Sequence, residues 1–135
     1  MKTIRVGIIS FGYMGKMHAM CYDNLKYYYN SDIDVQLYAV VTSKTAEQLP
    51  IKFQKIYGTV EELLADEKVD VVDICSPNYM HRDILVKAVK SNKHIYCEKP
   101  LARDLIEADE VLAAMKESGY QGISRVVFEY RFVPA

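Results

Sequence analysis

The most constraining stretch lies near the amino terminus, Arg5 to His18, reading RVGIISFGYMGKMH. A short apolar run, Val6 to Ile9, breaks at once into a turn of small residues, Ser10-Phe11-Gly12-Tyr13-Met14-Gly15, and a helical pattern follows without a gap. A buried strand that feeds a helix through so tight a turn leaves few folds open. The helix must pack back against the strand it has just left, so it forms one unit of a parallel sheet.

The rest of the chain repeats that unit. Residues 3–10 read as a first strand, apolar enough for burial on both faces. Residues 14–29 read as the first helix, with Met14, Met17, Cys21, Leu25 and Tyr28 as its buried stripe. A polar loop leads to a second strand at 35–41. The helix after it is abbreviated to about two turns at 42–48, since Leu49-Pro50 stops it. A short third strand is expected at 55–57. Thr59 then caps a helix at 60–65, with Glu62 completing a capping box. Residues 69–75, VDVVDIC, form a strong central strand. Ser76-Pro77-Asn78 turns into a helix at 80–92 with Ile84, Leu85, Ala88 and Val89 inward. HIYC at 94–97 is a further strand, leading into Glu98-Lys99-Pro100. A helix at 105–118 carries Leu105, Ala108, Leu112 and Met115 on its apolar face, and Gly119 ends it. Residues 121–130 alternate enough to be a last strand.

Strands alternating with helices require parallel strands and right-handed crossovers. The expected fold is a doubly wound α/β sheet with helices on both faces and strand order 3-2-1-4-5-6. Such sheets bind ligands at the carboxyl ends of their strands, at the switch point beside strand 1. Three loops end strands there: 10–15, 76–81 and 98–100. Small and polar residues gather in them. The first has the shape of the glycine turn that seats a dinucleotide pyrophosphate, G-x-G-x-x-G, with Ser10 in place of the first glycine. Gly12 lets backbone approach a phosphate, Gly15 lets helix and strand pack closely, and the helix N–H groups face the anion.

The end of the second strand bears on which dinucleotide. An acidic residue there would accept from the adenosine ribose, but Val41-Thr42-Ser43-Lys44 holds none. Hydroxyls and an ammonium suit a 2′-phosphate, so NADP is slightly favoured over NAD. Equally open is that Ser43 caps the short helix and Lys44 is solvated. Lys99, at the end of a buried strand, could exchange a proton with a substrate hydroxyl as a hydride moves; from its chemistry alone it reads more readily as half of a surface Glu–Lys pair. His81 could reach the same cleft, though taken alone it reads more readily as structural. His18, alone on its helix, reads as structural, as do Asp70 and Asp73. Cys75 and Cys97 read as small hydrophobes.

Composition narrows the remainder. With 135 residues and half of them hydrophobic, one domain with a real core is expected. A net charge of −1 gives no reason to expect nucleic acid or a membrane surface. No apolar run could span a bilayer, and the first strand leaves no room for a signal peptide. Three widely spaced cysteines show no metal-ligand pattern and suit a reducing, cytoplasmic setting.

GIISFGYMGKMH, VDVVDICSPNYMH and HIYCEKPLA, in this order and spacing, together resemble the Gfo/Idh/MocA family of NAD(P)-dependent oxidoreductases over essentially the whole chain. The resemblance implies an amino-terminal Rossmann domain, here residues 1–120. It also implies a carboxy-terminal substrate domain, of which residues 121–135 would be the last strand of the first domain and the passage onward. It implies hydride transfer to or from a sugar- or cyclitol-like hydroxyl or ketone, with Lys99 as the catalytic lysine. Ser76, Pro77, Asn78 and His81 would lie along the cofactor near its nicotinamide end, together with Glu98, and the Lys99-Pro100 peptide would be cis. The chain would then be a fragment, able to bind cofactor and unable to turn over substrate; the full-length protein would be a homo-oligomer. Two other readings stand beside this one: a non-catalytic nucleotide-binding sensor, and an interaction fragment that binds nothing because Ser10 has spoiled the turn.

Overall fold

A computed structural model of the chain describes residues 2–134. Six strands form one sheet in the order β3-β2-β1-β4-β5-β6. They are β1 (Lys2–Ile9), β2 (Ile33–Val41), β3 (Lys55–Tyr57), β4 (Val71–Ile74), β5 (His94–Cys97) and β6 (Ser124–Val126). Every pairing is parallel. Between them run α1 (Tyr13–Tyr28), α2 (Val60–Ala65), α3 (His81–Lys90) and α4 (Leu105–Ser118). The expected strand order and fold class are what the chain adopts.

Register aligns the strand ends. Ile9 pairs with Val41 on one side and Ile74 on the other, and Ile74 pairs with Cys97. The next residues close the ladders: Ser10 N–H donates to the Val41 carbonyl, Cys75 N–H to Ile9, and Glu98 N–H to Ile74, at 3.1, 3.0 and 2.9 Å. Three loops distant in sequence therefore start from one row.

Side chains alternate along the strands, so the sheet has two buried layers. Leu63, Ile84, Leu85, Ala88, Val89, Val111 and Ala114 from α2, α3 and α4 cover one face, over Ile9, Val72, Ile74 and Ile95. The other layer is smaller: Val6, Ile8, Phe11, Ala19, Val40, Leu49 and Cys75, flanked by half-buried Tyr22, Ile51 and Phe53. The register slips between Val6 and Gly7, opposite Leu37 and Ala39, so Tyr38 is the extra residue of a bulge. Tyr38 and Ala39 both end up in the larger layer.

Several expectations on local structure are corrected. After β2 the chain makes only a single 3₁₀ turn, Ala46–Gln48, capped by Thr45 with Gln48 returning to the Thr45 N–H; Ser43 is not the cap. The buried face of α1 is Gly15, His18 and Ala19, while Met14, Cys21 and Tyr28 are exposed. Small residues let α1 lie close to the sheet, and His18 finds carboxylates beneath it, and these two effects outweigh the apolar stripe. On α4 the buried residues are Glu107, Val111 and Ala114; Leu105 and Leu112 face out. The small residues pack on α3, and Glu107 is buried because Arg103 and the Asp104 cap engage it. The last strand is only three residues long, and a 3₁₀ turn, Glu129–Phe132, replaces its second half. Gly119 ends α4 in the left-handed conformation, and Thr59 and Glu62 form the expected box on α2. The boundary expected at 120 falls before β6; Met1 and Ala135 lie outside the described residues.

Candidate functional site

The turn after β1 is built around one close approach. A Cβ on Gly15 would fall inside contact distance of the Ser10 carbonyl oxygen, so only glycine fits while α1 stays this close to the strand. Ser10 itself takes φ 73°, the left-handed region its motif position demands. A Cβ on Gly12 would meet nothing within 4 Å, so that backbone faces open space. Gly12 caps α1 without any side-chain bond, and the first turn of α1 has no acidic residue. Its leading N–H groups are left free for an anion, at the positive end of the helix dipole.

These residues form one wall of a cleft of ≈ 410 Å³ at the carboxyl edge of the sheet. Ser10, Phe11, Gly12, Thr42, Ser43, Lys44 and Ser76 line it, joined by Gly58, Val60 and Met80. Phe11 contributes backbone rather than ring: its side chain is buried and stacks edge-on against Phe53, centroids 5.2 Å apart. Lys44 brings an ammonium, and its N–H donates to Thr42 Oγ1 at 3.2 Å, which curls the end of β2 around the cleft. Ser76 is buried, and its hydroxyl has no hydrogen-bond partner among the described residues. A buried hydroxyl left unpaired is costly unless something outside the chain pairs with it. Together with the bare cradle at Gly12, it fits a polar ligand lying from the Ser10 turn to Ser76.

The other expected residues sit around this cleft rather than in its lining. Tyr13 and Met14 are exposed on the first turn of α1, and Gly15 is sealed beneath it. Pro77 and Asn78 are exposed on the loop entering α3. His81 is buried under the cleft: Nδ1 lies 2.7 Å from the Pro100 carbonyl oxygen and Nε2 2.9 Å from that of Ser76. Its ring ties the 76–78 loop to the 98–100 loop. Glu98 is buried and Lys99 exposed, and the Lys99-Pro100 peptide is cis.

Sequence reasoning passed over two things. Gly58 and Val60 join the lining because the capping box at Thr59 starts α2 beside the end of β2, and Met80 joins it from the 3₁₀ turn that leads into α3; the box was visible, but its position in space was not. The second is a cluster under the loops. His18 lies against Asp73 and Glu98, and Cys75 Sγ is 3.3 Å from His18 Nδ1 and 3.5 Å from Asp73 Oδ1. His18, Asp73 and Cys75 present the donor types of a metal site within 4.8 Å. Burial, then the Asp73 charge, pushes the Cys75 thiol far up. Through these contacts the three side chains form one buried hydrogen-bonded group. The sequence did carry one signal, a carboxylate in the middle of the apolar run VVDIC.

A doubly wound parallel sheet, a glycine-cornered turn at its switch point and an anion-ready cleft beside it define a dinucleotide-binding domain. Residues 4–124 match the model of the Gfo/Idh/MocA family, described as an oxidoreductase family with an NAD-binding Rossmann fold. The chain belongs to this family. It is 30% identical over 140 residues to levoglucosan dehydrogenase of Pseudarthrobacter phenanthrenivorans, covering 100% of this chain and 35% of that protein. It is 32% identical over 119 residues to myo-inositol 2-dehydrogenase of Thermotoga maritima, covering 85% of this chain and 34% of that one. A solved levoglucosan dehydrogenase in complex with NADH superposes with a TM-score of 0.85 at 28% identity, covering 96% of this chain and 36% of that one. The chain thus spans about a third of the length of these relatives. Among the described residues, no helix is long and apolar enough to cross a membrane.

Proposed function

We propose that this chain is the cofactor-binding part of an oxidoreductase that moves a hydride between a nicotinamide dinucleotide and a hydroxyl or ketone of a sugar- or cyclitol-like substrate. The observation that carries this reading is the unpartnered, buried Ser76 hydroxyl in a cleft whose opposite wall is the Ser10–Gly15 turn. When bound, the nicotinamide supplies the hydride or accepts it. The Ser10–Gly15 turn and the α1 N-terminus hold the pyrophosphate, and Ser76 orients the chain of the ligand beyond it. The 98–100 loop carries Lys99 at the same sheet edge, exposed and able to pass a proton to or from the substrate oxygen. His81 holds that loop against the 76–78 loop.

Thr42, Ser43 and Lys44 line the cleft where β2 ends, with no carboxylate among them. That donor set favours a 2′-phosphate, so NADP is preferred over NAD. Substrate contacts and further proton-handling groups come from outside these 135 residues, and the chain alone binds cofactor without turnover.

Fluorescence titration of the 135-residue chain with NADPH and with NADH tests the binding half. Saturable binding, tighter for NADPH, is expected. No binding of either overturns the reading, and tighter NADH binding overturns the preference. In the full-length protein, Lys99→Ala is expected to lower kcat at least about 100-fold with cofactor affinity retained. A full-length protein that binds cofactor yet oxidises no sugar or polyol is instead a sensor.

A further inference from the structure

His18 stands between two buried carboxylates. Nδ1 lies 2.9 Å from Asp73 Oδ2, and Nε2 3.1 Å from Glu98 Oε1. His18, Asp73 and Glu98 are 8%, 0% and 5% exposed. A neutral imidazole donates from one nitrogen only, and an ionised carboxylate only accepts. Facing acceptors on both sides, the ring satisfies both only with two N–H groups. The second Glu98 oxygen, Oε2, accepts the backbone N–H of Lys99 at 2.9 Å. One chain of contacts thus runs from Asp73 in the sheet, through His18 on α1, to Glu98 and the peptide that carries Lys99.

We propose that His18 is a positioning residue for Lys99: as an imidazolium it spans Asp73 and Glu98, and through Glu98 it fixes the turn on which Lys99 stands at the cleft. This rests on the reading of Lys99 as the proton-exchanging group. The surroundings agree with it. Burial opposes the charge on His18, but the Asp73 hydrogen bond and charge, followed by those of Glu98, outweigh burial and raise its pKa above the usual 6.5. The other titratable groups against the cluster are Tyr22 and Cys21 from α1, Cys75 after β4, and Tyr96 and Cys97 from β5. Tyr96 tilts over the His18 ring with centroids 5.6 Å apart. Burial, then Asp73, pushes Tyr22, Tyr96, Cys75 and Cys97 upward, the last to about 12, so all four stay neutral near pH 7.

Two substitutions separate this role from simple packing. An asparagine amide reaches where Nδ1 sits, and a glutamine amide where Nε2 sits. His18→Asn keeps the Asp73 contact and frees Glu98; His18→Gln keeps the Glu98 contact. The readouts are NMR on the 135-residue chain: the protonation of the His18 ring, and the shift and exchange protection of the Lys99 amide. In the wild type the His18 ring titrates with a midpoint above 6.5, and the Lys99 amide moves with it. Lys99 amide protection is expected to fall about tenfold in His18→Asn and to stay within about threefold of wild type in His18→Gln. If His18→Asn does not fold, the wild-type titration and His18→Gln decide the matter. A ring that titrates at or below 6.5, a Lys99 amide as protected in His18→Asn as in wild type, or equal losses in both variants overturns the proposal. None of these readouts needs turnover. A full-length enzyme that keeps its rate after Lys99→Ala therefore overturns the role of Lys99 separately, leaving the His18–Glu98 contact as measured.

Discussion

Replacing Ser10 with glycine should stabilise the protein. Ser10 sits at φ 73°, where a side chain crowds the following carbonyl. The left-handed conformation costs an L-residue about 1–2 kcal/mol. Glycine removes that cost but adds freedom to the unfolded chain, worth about 0.4–1 kcal/mol in the other direction. The net gain is about 0.5–1 kcal/mol. For a chain of this length that raises Tm by about 2–5 °C. The assay is thermal and urea unfolding of wild type, Ser10→Gly and Ser10→Ala side by side. Ser10→Ala keeps the strained φ and removes only the hydroxyl, so it should unfold close to wild type. The cofactor-induced rise in Tm should persist in Ser10→Gly, because the carbonyl over Gly15 and the open backbone at Gly12 are untouched. A folded Ser10→Gly protein that melts at or below the wild-type temperature refutes the strain argument. If Ser10→Ala alone is destabilised, the serine hydroxyl is what the turn requires.

Three further outcomes are expected. Ser76→Ala should weaken NADPH binding about 3- to 10-fold in a titration while raising rather than lowering the unfolding stability of the cofactor-free chain, since the buried hydroxyl has no partner among the described residues. Leu63→Ala should cost about 2–5 kcal/mol in urea unfolding because Leu63 is fully buried; Gly7→Ala, whose Cβ would sit 3.0 Å from Leu63 Cδ1, should cost less in that background than in wild type. Burial opposes charge on Asp66, but bonds from the Lys68 N–H at 2.9 Å and the Tyr57 hydroxyl at 2.8 Å hold its pKa below 3.8. A depressed carboxyl stabilises the fold above its unfolded value and loses that contribution as pH falls through the folded one. Asp66→Asn should therefore be less stable than wild type at pH 7, with the gap closing below about pH 3.8; a gap that stays constant with pH refutes this.

The sequence carried the sheet and the location of the cleft because both depend on local pattern. Buried parallel strands are short apolar runs, and glycines mark the turn, so Val6–Ile9, the Gly12 and Gly15 positions and the 76–78 and 98–100 loops could be read directly. Orientation was less legible. Which face of α1 is buried depends on how closely Gly15 lets it approach Ser10, a distance set in three dimensions, and the same holds for α4 against α3. The segment after β2 lacks helical periodicity, and its Thr45–Gln48 box closes one turn and no more. The His18 cluster was invisible as a group because its members lie 55 and 80 positions apart and meet only when β4 and β5 are in register. Each alone reads as a satisfied polar residue.

The smaller layer of the sheet has a consequence for how the cleft can be altered. The Ser10–Gly15 turn rests on that layer, and its floor is Phe11 against Phe53, from a segment with little regular structure. A change in this floor reaches the turn through Phe11. Leu49, Ile51 and Phe53 do not line the cleft, yet they pack in the layer beneath the turn that does. Repacking them would therefore reach the turn from the back of the sheet, by substitutions that leave every cleft-facing atom in place.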